Sequence, residues 1–162
     1  MAKIFFDSDG VAADMDEWID NNMPSIRGMD DANFWGALSE VPNLFSNFPP
    51  LYGFQQVIDA CLDAGHDLEW LTATPYPTKH LCTAGNDKRK YLHKYFFPAL
   101  PVSTISGGKN KVNFLHVYPK AVLIDDYKRN IDMWNEAGGI GILHETGNTQ
   151  KTLDMLKIHG LI

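Results

Sequence analysis

The sequence predicts an α/β chain: a Rossmann-like, mostly parallel sheet with helices on both faces and a small helical cap inserted after the first strand. Three observations carry this. Short apolar runs alternate with stretches of helical spacing along most of the 162 residues. The first such run, Lys3 to Phe6, ends abruptly in acidic residues and glycine, as a buried strand does where it meets a functional loop. The segment from about 15 to 50, rich in Trp, Phe, Asn, Pro and Met, then breaks the rhythm, and a direct crossover to the next strand needs far fewer residues. An apolar fraction of 44% and a charged fraction of 21% describe a chain that buries a core, and its length fits one domain over 1–162.

The elements follow in order. Phe54 to Ala64 has helical spacing through Val57, Ile58, Cys61 and Leu62, with Gly65 placed to terminate it. Leu68 to Leu71 reads as the second strand, closed by Thr72-Ala73-Thr74-Pro75. Asp87 to Phe96 reads as a basic, partly amphipathic helix whose Lys88, Arg89 and Lys90 read as a solvated face, with attraction of an anionic substrate as the alternative. Val102 to Ile105 is a short strand, and Gly107-Gly108 separates it from a helical stretch near Lys111 to Val117. Ala121 to Ile124 is the next strand and ends in Asp125-Asp126. A helix from about Asn130 to Ala137, a strand at Ile140 to Leu143 and a closing helix at Thr149 to His159 complete the pattern. The segment from 15 to 50 reads as a cap over the end of the first strand, where open parallel sheets bind their ligands.

A net charge of −6 and a pI near 5.4 argue against a surface that wraps long nucleic acid, which needs a basic face. A small anionic substrate stays compatible, because a metal ion and a few local cations reverse the field inside one pocket. Cys61 and Cys82 show no zinc spacing and read as free thiols. No basic leader precedes an apolar stretch and no apolar run approaches spanning length, so the expectation is a cytoplasmic protein without a membrane partner. The six histidines form no spacing pattern.

Four short features fall where four strands end: Asp7-Ser8-Asp9-Gly10, Thr72-Ala73-Thr74, a lysine at 109 or 111, and Asp125-Asp126. In a parallel sheet those ends converge on one edge. Carboxylates crowded there repel unless a cation sits among them, and oxygen-only donors select a hard ion such as Mg2+. The set suits phosphoryl transfer. One carboxylate attacks phosphorus, and a second, two residues on, handles the leaving-group proton. Lysine, a threonine hydroxyl and backbone N–H groups hold the phosphoryl oxygens, and Gly10 lets the chain turn closely around them.

Asp7-Ser8-Asp9-Gly10-Val11 with Asp14 following resembles the first motif of the haloacid dehalogenase superfamily of phosphatases. Leu71-Thr72-Ala73-Thr74-Pro75 is similar to its second motif, and Leu123-Ile124-Asp125-Asp126 to its acidic fourth. With Phe34-Trp35 in a short cap, the pattern resembles the 5'(3')-deoxyribonucleotidase branch. The resemblance implies Asp7 as nucleophile and Asp9 as general acid/base. It implies Mg2+ held by the Asp7 carboxylate, the Asp9 carbonyl and Asp126, with Asp125 and Asn130 supporting the shell. Thr72 would bond the phosphoryl group with Gly10, Ala73 and Thr74 beside it, and Phe34 and Trp35 would stack against a base or sugar. For the phosphate lysine, Lys109 is preferred and Lys111 is the alternative.

The implied activity is Mg2+-dependent hydrolysis of a nucleoside monophosphate through a phospho-aspartate. Phosphatases of a sugar or other metabolite, and polynucleotide-end phosphatases, share the same motifs. A calcium loop fits poorly, since the glycine comes too early and a strand precedes it. A receiver domain also clusters aspartates with Thr and Lys, but its paired acids follow the first strand, whereas here they come late. Phe34, Trp35, Phe45 and Phe48 also supply a small cap core. A short cap leaves the entrance partly open or works with a partner subunit, so both a monomer and a homodimer stay open.

Overall fold

Successive side chains of a strand leave on opposite faces, and in this chain both faces are buried. The computed structural model describes residues 1–162. Its strands β1 (Lys3–Phe6), β2 (Asp67–Thr74), β3 (Val102–Ser106), β4 (Val122–Asp125) and β5 (Ile140–Leu143) form one sheet in the order β3-β2-β1-β4-β5. Every neighbouring pair is parallel. The α/β, Rossmann-like architecture expected from the alternating pattern is the one observed.

The alternation divides the interior into two cores. Ile4, Phe6, Leu68, Trp70, Val122, Ile124 and Ile142 face one side, where α3 (Gln55–Asp63), α4 (Ala84–Tyr95) and α6 (Thr149–Ile158) cover them with Val57, Ile58, Cys61, Leu92 and Leu156. Phe5, Leu71 and Leu123 face the other, under Leu115 and the Ile131 and Trp134 side chains of α5 (Lys128–Glu136). Phe5 meets Phe114, Tyr118 and Trp134 edge-on, with centroids 5.4–6.0 Å apart. Phe6 does the same with Phe54 and Trp70 on the opposite face.

Several boundaries differ from the sequence reading, each for a local reason. β2 continues past Leu71 to Thr74, because Thr72, Ala73 and Thr74 pair with Thr104, Ile105 and Ser106 of β3. The stretch expected as a helix near Lys111 is a 3-10 turn series over Gly108–His116. α4 begins at Ala84 and α5 at Lys128, slightly before the expected starts. No helix is long and apolar enough to cross a membrane.

Between β1 and α3 the chain builds a helical insertion: α1 (Met15–Asn22), a 3-10 turn at Pro24–Ile26, α2 (Asp31–Leu38) and a 3-10 turn at Leu44–Asn47. Asp14 caps α1 by accepting from the Glu17 N–H at 3.0 Å, and Asp30 caps α2 by accepting from the Asn33 N–H at 2.9 Å. The insertion leaves and returns side by side: the Asp14 N–H donates to the Pro49 carbonyl and the Leu51 N–H to the Ala12 carbonyl, both at 2.8 Å. Its second half lies on α4, where the Tyr91 hydroxyl donates to the Phe48 carbonyl at 3.0 Å.

Candidate active site

The strand order reverses between β1 and β4: β2 and β3 lie to one side of β1, β4 and β5 to the other. At such a reversal the connecting loops diverge and leave a crevice beyond the carboxyl ends of the strands. Asp7 and Asp125 flank it. Asp7 directly follows β1 and its N–H donates to the Ile124 carbonyl at 2.9 Å, while Asp125 ends β4. After Asp7 the chain turns at once, with the N–H groups of Val11, Ala12 and Ala13 all donating to the Ser8 carbonyl. Gly10 permits this turn at φ +74, and a Cβ there would stand 1.9 Å from the Asp126 Oδ2. Gly108 is similarly confined, since its Cβ would come 2.9 Å from the Asn130 Oδ1.

Lys111 is the cation at the centre of this cluster. Its Nζ lies 2.8 Å from the Asp7 Oδ1 and 2.7 Å from the Asp125 Oδ2, and the residue is buried. Asp125 is fully buried and further held by the Tyr127 N–H at 2.8 Å and the Asn130 Nδ2 at 3.0 Å. Lys109 is exposed on the wall of the same crevice and makes no ion pair. Of the two lysines expected here, the structure brings Lys111 and not the preferred Lys109 to the carboxylates, because the turn series after Gly107 directs Lys111 inward.

The carboxyls carry the mark of crowding. Burial pushes Asp126 up to about 8, helped by the nearby Asp7, Asp125 and Asp9 charges. Burial and then Asp7 raise Asp125, with Lys111 acting in the opposite direction. Burial works against a charged Lys111, but Asp7 and Asp125 outweigh it and hold the ammonium well above its usual range. Asp7, Asp125 and Asp126 each place one oxygen within 4.8 Å of the others. One lysine against three carboxylates leaves negative charge to balance, and an all-oxygen donor set fits a hard divalent cation such as Mg2+.

A second lysine is buried at the site, and sequence reasoning missed it. Lys88, expected on a solvated face, is 2% exposed. Its Nζ donates to the Asp9 Oδ2 at 2.6 Å, the Ala73 carbonyl at 2.7 Å and the Thr72 Oγ1 at 3.1 Å. The signal was present: Ala84, Lys88, Tyr91 and Leu92 have the spacing of one helix face and all are buried. The charge of Lys88 masked that stripe. Asp9 sits between the two cations' territories. Burial raises its carboxyl, Lys88 acts against that, and its Oδ1 is buried without a partner.

The crevice opens into a cavity of about 490 Å³. Asp7, Asp9, Gly10, Ala73, Asp126 and Asn130 line its floor. The insertion contributes Met15, Asp16, Asp31 and Trp35, and Lys109, Tyr127 and Arg129 stand on the opposite wall. Three residues expected at the substrate do not line the cavity. Phe34 packs edge-on against Trp35 with centroids 5.4 Å apart, lies partly buried against the main hydrophobic core and does not line the cavity. Thr74 lines a separate surface depression with Pro75 and Ser106. Thr72 is fully buried beneath the floor, against Lys88.

At the level of sequence the chain matches no family model and no curated protein. Solved structures do resemble it. A D,D-heptose 1,7-bisphosphate phosphatase from Burkholderia thailandensis superposes with TM-score 0.55 at 14% identity, over 96% of this chain and 85% of that one. A Thermotoga maritima protein assigned as a beta-phosphoglucomutase gives TM-score 0.60 at 16% identity, over 98% and 99%. A chain of the Pnkp1/Rnl/Hen1 RNA repair complex gives 0.56 at 14%, over 89% of this chain and 42% of that one. The likeness is one of fold.

Proposed function

We propose that this chain is a Mg2+-dependent phosphomonoesterase of the haloacid dehalogenase superfamily, acting on nucleoside monophosphates and on deoxyribonucleotides foremost. The observation that carries the reading is the meeting of Asp7, Asp125, Asp126 and Lys111 at the strand-order reversal, under a cavity partly covered by a helical insertion. The fold relatives support the superfamily, since one is by name a phosphatase.

In this reading the Asp7 carboxylate attacks phosphorus in line. A bond forms between the Asp7 oxygen and phosphorus, the bond to the ester oxygen breaks, and its electron pair leaves with that oxygen. Asp9 gives the departing oxygen a proton, and its raised carboxyl suits a group that must hold one. Water then attacks the phospho-aspartate, Asp9 takes a proton from it, and inorganic phosphate departs. Lys111 orients Asp7 and faces the charge that develops on the phosphoryl oxygens. Mg2+, when bound, would be held by Asp7, Asp126 and the Asp9 carbonyl, with Asp125 and Asn130 behind them, and would neutralise phosphoryl charge. The insertion acts as the cap, and Trp35 and Tyr127 offer aromatic surface to a base or sugar.

A second reading keeps the chemistry and changes the leaving group. Asp16 and Asp31 reach the cavity from the insertion, and carboxylates suit the hydroxyls of a sugar phosphate. Phosphate release by the purified chain with Mg2+, measured across nucleoside monophosphates and sugar phosphates, tests both. Faster turnover of nucleotides is expected; equal or faster turnover of sugar phosphates replaces the nucleotide claim. Asp7→Asn should abolish release while leaving the unfolding transition in place, and full turnover by that variant would reject the nucleophile.

A further inference from the structure

The chain spends a buried lysine on a contact that the reaction as set out does not require. An ammonium offers three donors, and Lys88 uses all three on Asp9, Thr72 and Ala73. It therefore has none left for a substrate phosphate, which separates it from Lys111. It also does not line the cavity. Burying a cation is costly without a counter-charge, and its one carboxylate partner is Asp9. Above it lies the insertion: the Nζ stands 4.7 Å from the centroid of the Phe45 ring, within the range of a cation–π contact.

We propose that Lys88 is the positioning residue for Asp9, fixing the carboxyl that handles the leaving-group proton and tying its placement to the seating of the insertion through Phe45. The inference rests on the phosphomonoesterase reading and on Asp9 as its acid. Lys88 grips one oxygen of Asp9, and the Ala73 carbonyl and Thr72 hydroxyl of β2 hold the lysine to the sheet. Asp9 is thereby tied to β2 as well as to its own turn after β1. On the other side, Phe45 and the Tyr91–Phe48 hydrogen bond hold α4 against the insertion. An insertion that is not seated removes the aromatic face from Lys88 and loosens the acid. Proton transfer is then geometrically ready only when the cavity is covered.

The consequence is a selective kinetic signature. When phosphorus moves to Asp7, an alkoxide must leave with a proton from Asp9, whereas a nitrophenolate leaves unaided. The quantity kcat/KM reports this first transfer and excludes the later hydrolysis of the phospho-aspartate. The test uses the purified chain with Mg2+ and two substrates, p-nitrophenyl phosphate and an alkyl phosphate such as a nucleoside 5'-monophosphate. For Lys88→Met, kcat/KM should fall about 100-fold or more with the alkyl ester and less than about 10-fold with the nitrophenyl ester, matching the pattern of Asp9→Asn. The double variant Lys88→Met/Asp9→Asn should lose no more selectivity than Asp9→Asn alone.

An equal fall on both substrates, or additive selectivity in the double variant, overturns the positioning role. Absence of phosphate release by the unmodified chain rejects the phosphomonoesterase reading itself. Should Lys88→Met fail to fold, Phe45→Leu, which keeps apolar volume and removes the ring, carries the test. It should lower kcat/KM about 2- to 5-fold with the alkyl ester alone, in keeping with the strength of a single cation–π contact. Unchanged rates, or loss on both esters, reject the link to the insertion.

Discussion

Asp126 offers the sharpest quantitative test of the proposed metal site. Its carboxyl moves from 3.8 to about 8 on folding, first through burial and then through the surrounding carboxylates. The folded chain therefore holds this proton more tightly than the unfolded chain. The stability it contributes is complete below the unfolded value near 4 and is lost as pH rises through about 8. Between about pH 5 and about pH 7.5 that loss amounts to about 3 kcal/mol for this single group. Asp126→Asn keeps the shape of the side chain and removes the titration. In the presence of a chelator, the variant should thus gain about 3 kcal/mol on the parent between those two pH values. Urea unfolding of both proteins at each pH reads the difference directly. Millimolar Mg2+ should then stabilise the parent and do much less for the variant, since a ligand stabilises only the form that binds it. Parallel pH profiles in chelator, or equal stabilisation of both by Mg2+, would refute the crowded-carboxylate account.

Lys111→Met removes the single cation between Asp7 and Asp125 and should cost about 3–5 kcal/mol in chelator, part of it restored by Mg2+, whereas Lys109→Met should leave stability within about 0.5 kcal/mol. Thermal or urea unfolding with and without the ion checks both. His144 behaves oppositely to Asp126. Burial lowers it from 6.5 to about 4, with Glu145 pushing weakly upward, and its Nδ1 lies 2.7 Å from the Thr152 Oγ1. Its stability contribution is whole above the unfolded value and declines as pH falls toward about 4, by about 3 kcal/mol. His144→Gln should flatten that acid limb, and an unchanged limb in urea titrations would show that the imidazole is not the responsible group.

The parts of the site that were legible in the sequence are those whose chemistry and backbone position coincide. Asp7, Asp9, Asp125 and Asp126 stand at the ends of apolar runs, so a strand pattern alone brings them to one edge. What resisted reading depends on helix rotation and on turns of a few residues. Lys109 and Lys111 are two steps apart, and only the 3-10 path after Gly107 decides which of them turns inward. Lys88 lies on an apolar stripe, yet a charged residue in a basic run reads as solvated until its partner Asp9, distant in sequence, is beside it. Phe34 and Trp35 are adjacent, so helix geometry sends them in different directions, and the cavity receives Trp35. The length of β2 escaped because Thr72 and Thr74 are polar and Ala73 is small, and pairing with β3 outweighs that composition.

The place where the insertion joins the sheet has a consequence for how such a protein can change. Ala13 and Pro50 form a bridge, flanked by the hydrogen bonds from Asp14 to Pro49 and from Leu51 to Ala12. The two ends of the excursion are therefore clamped to each other before the chain enters α3. Between them the excursion is also held by packing, since Ile19, Ile26, Leu38, Leu44, Phe45 and Phe48 belong to the same buried cluster as Ile4 and Phe6. A replacement segment that keeps this clamp and this apolar face should leave Asp7 and the register of β1 in place. On the proposed function, selectivity and chemistry then sit on different parts of one chain, with Lys88 and Phe45 among the contacts that a replacement segment must reproduce.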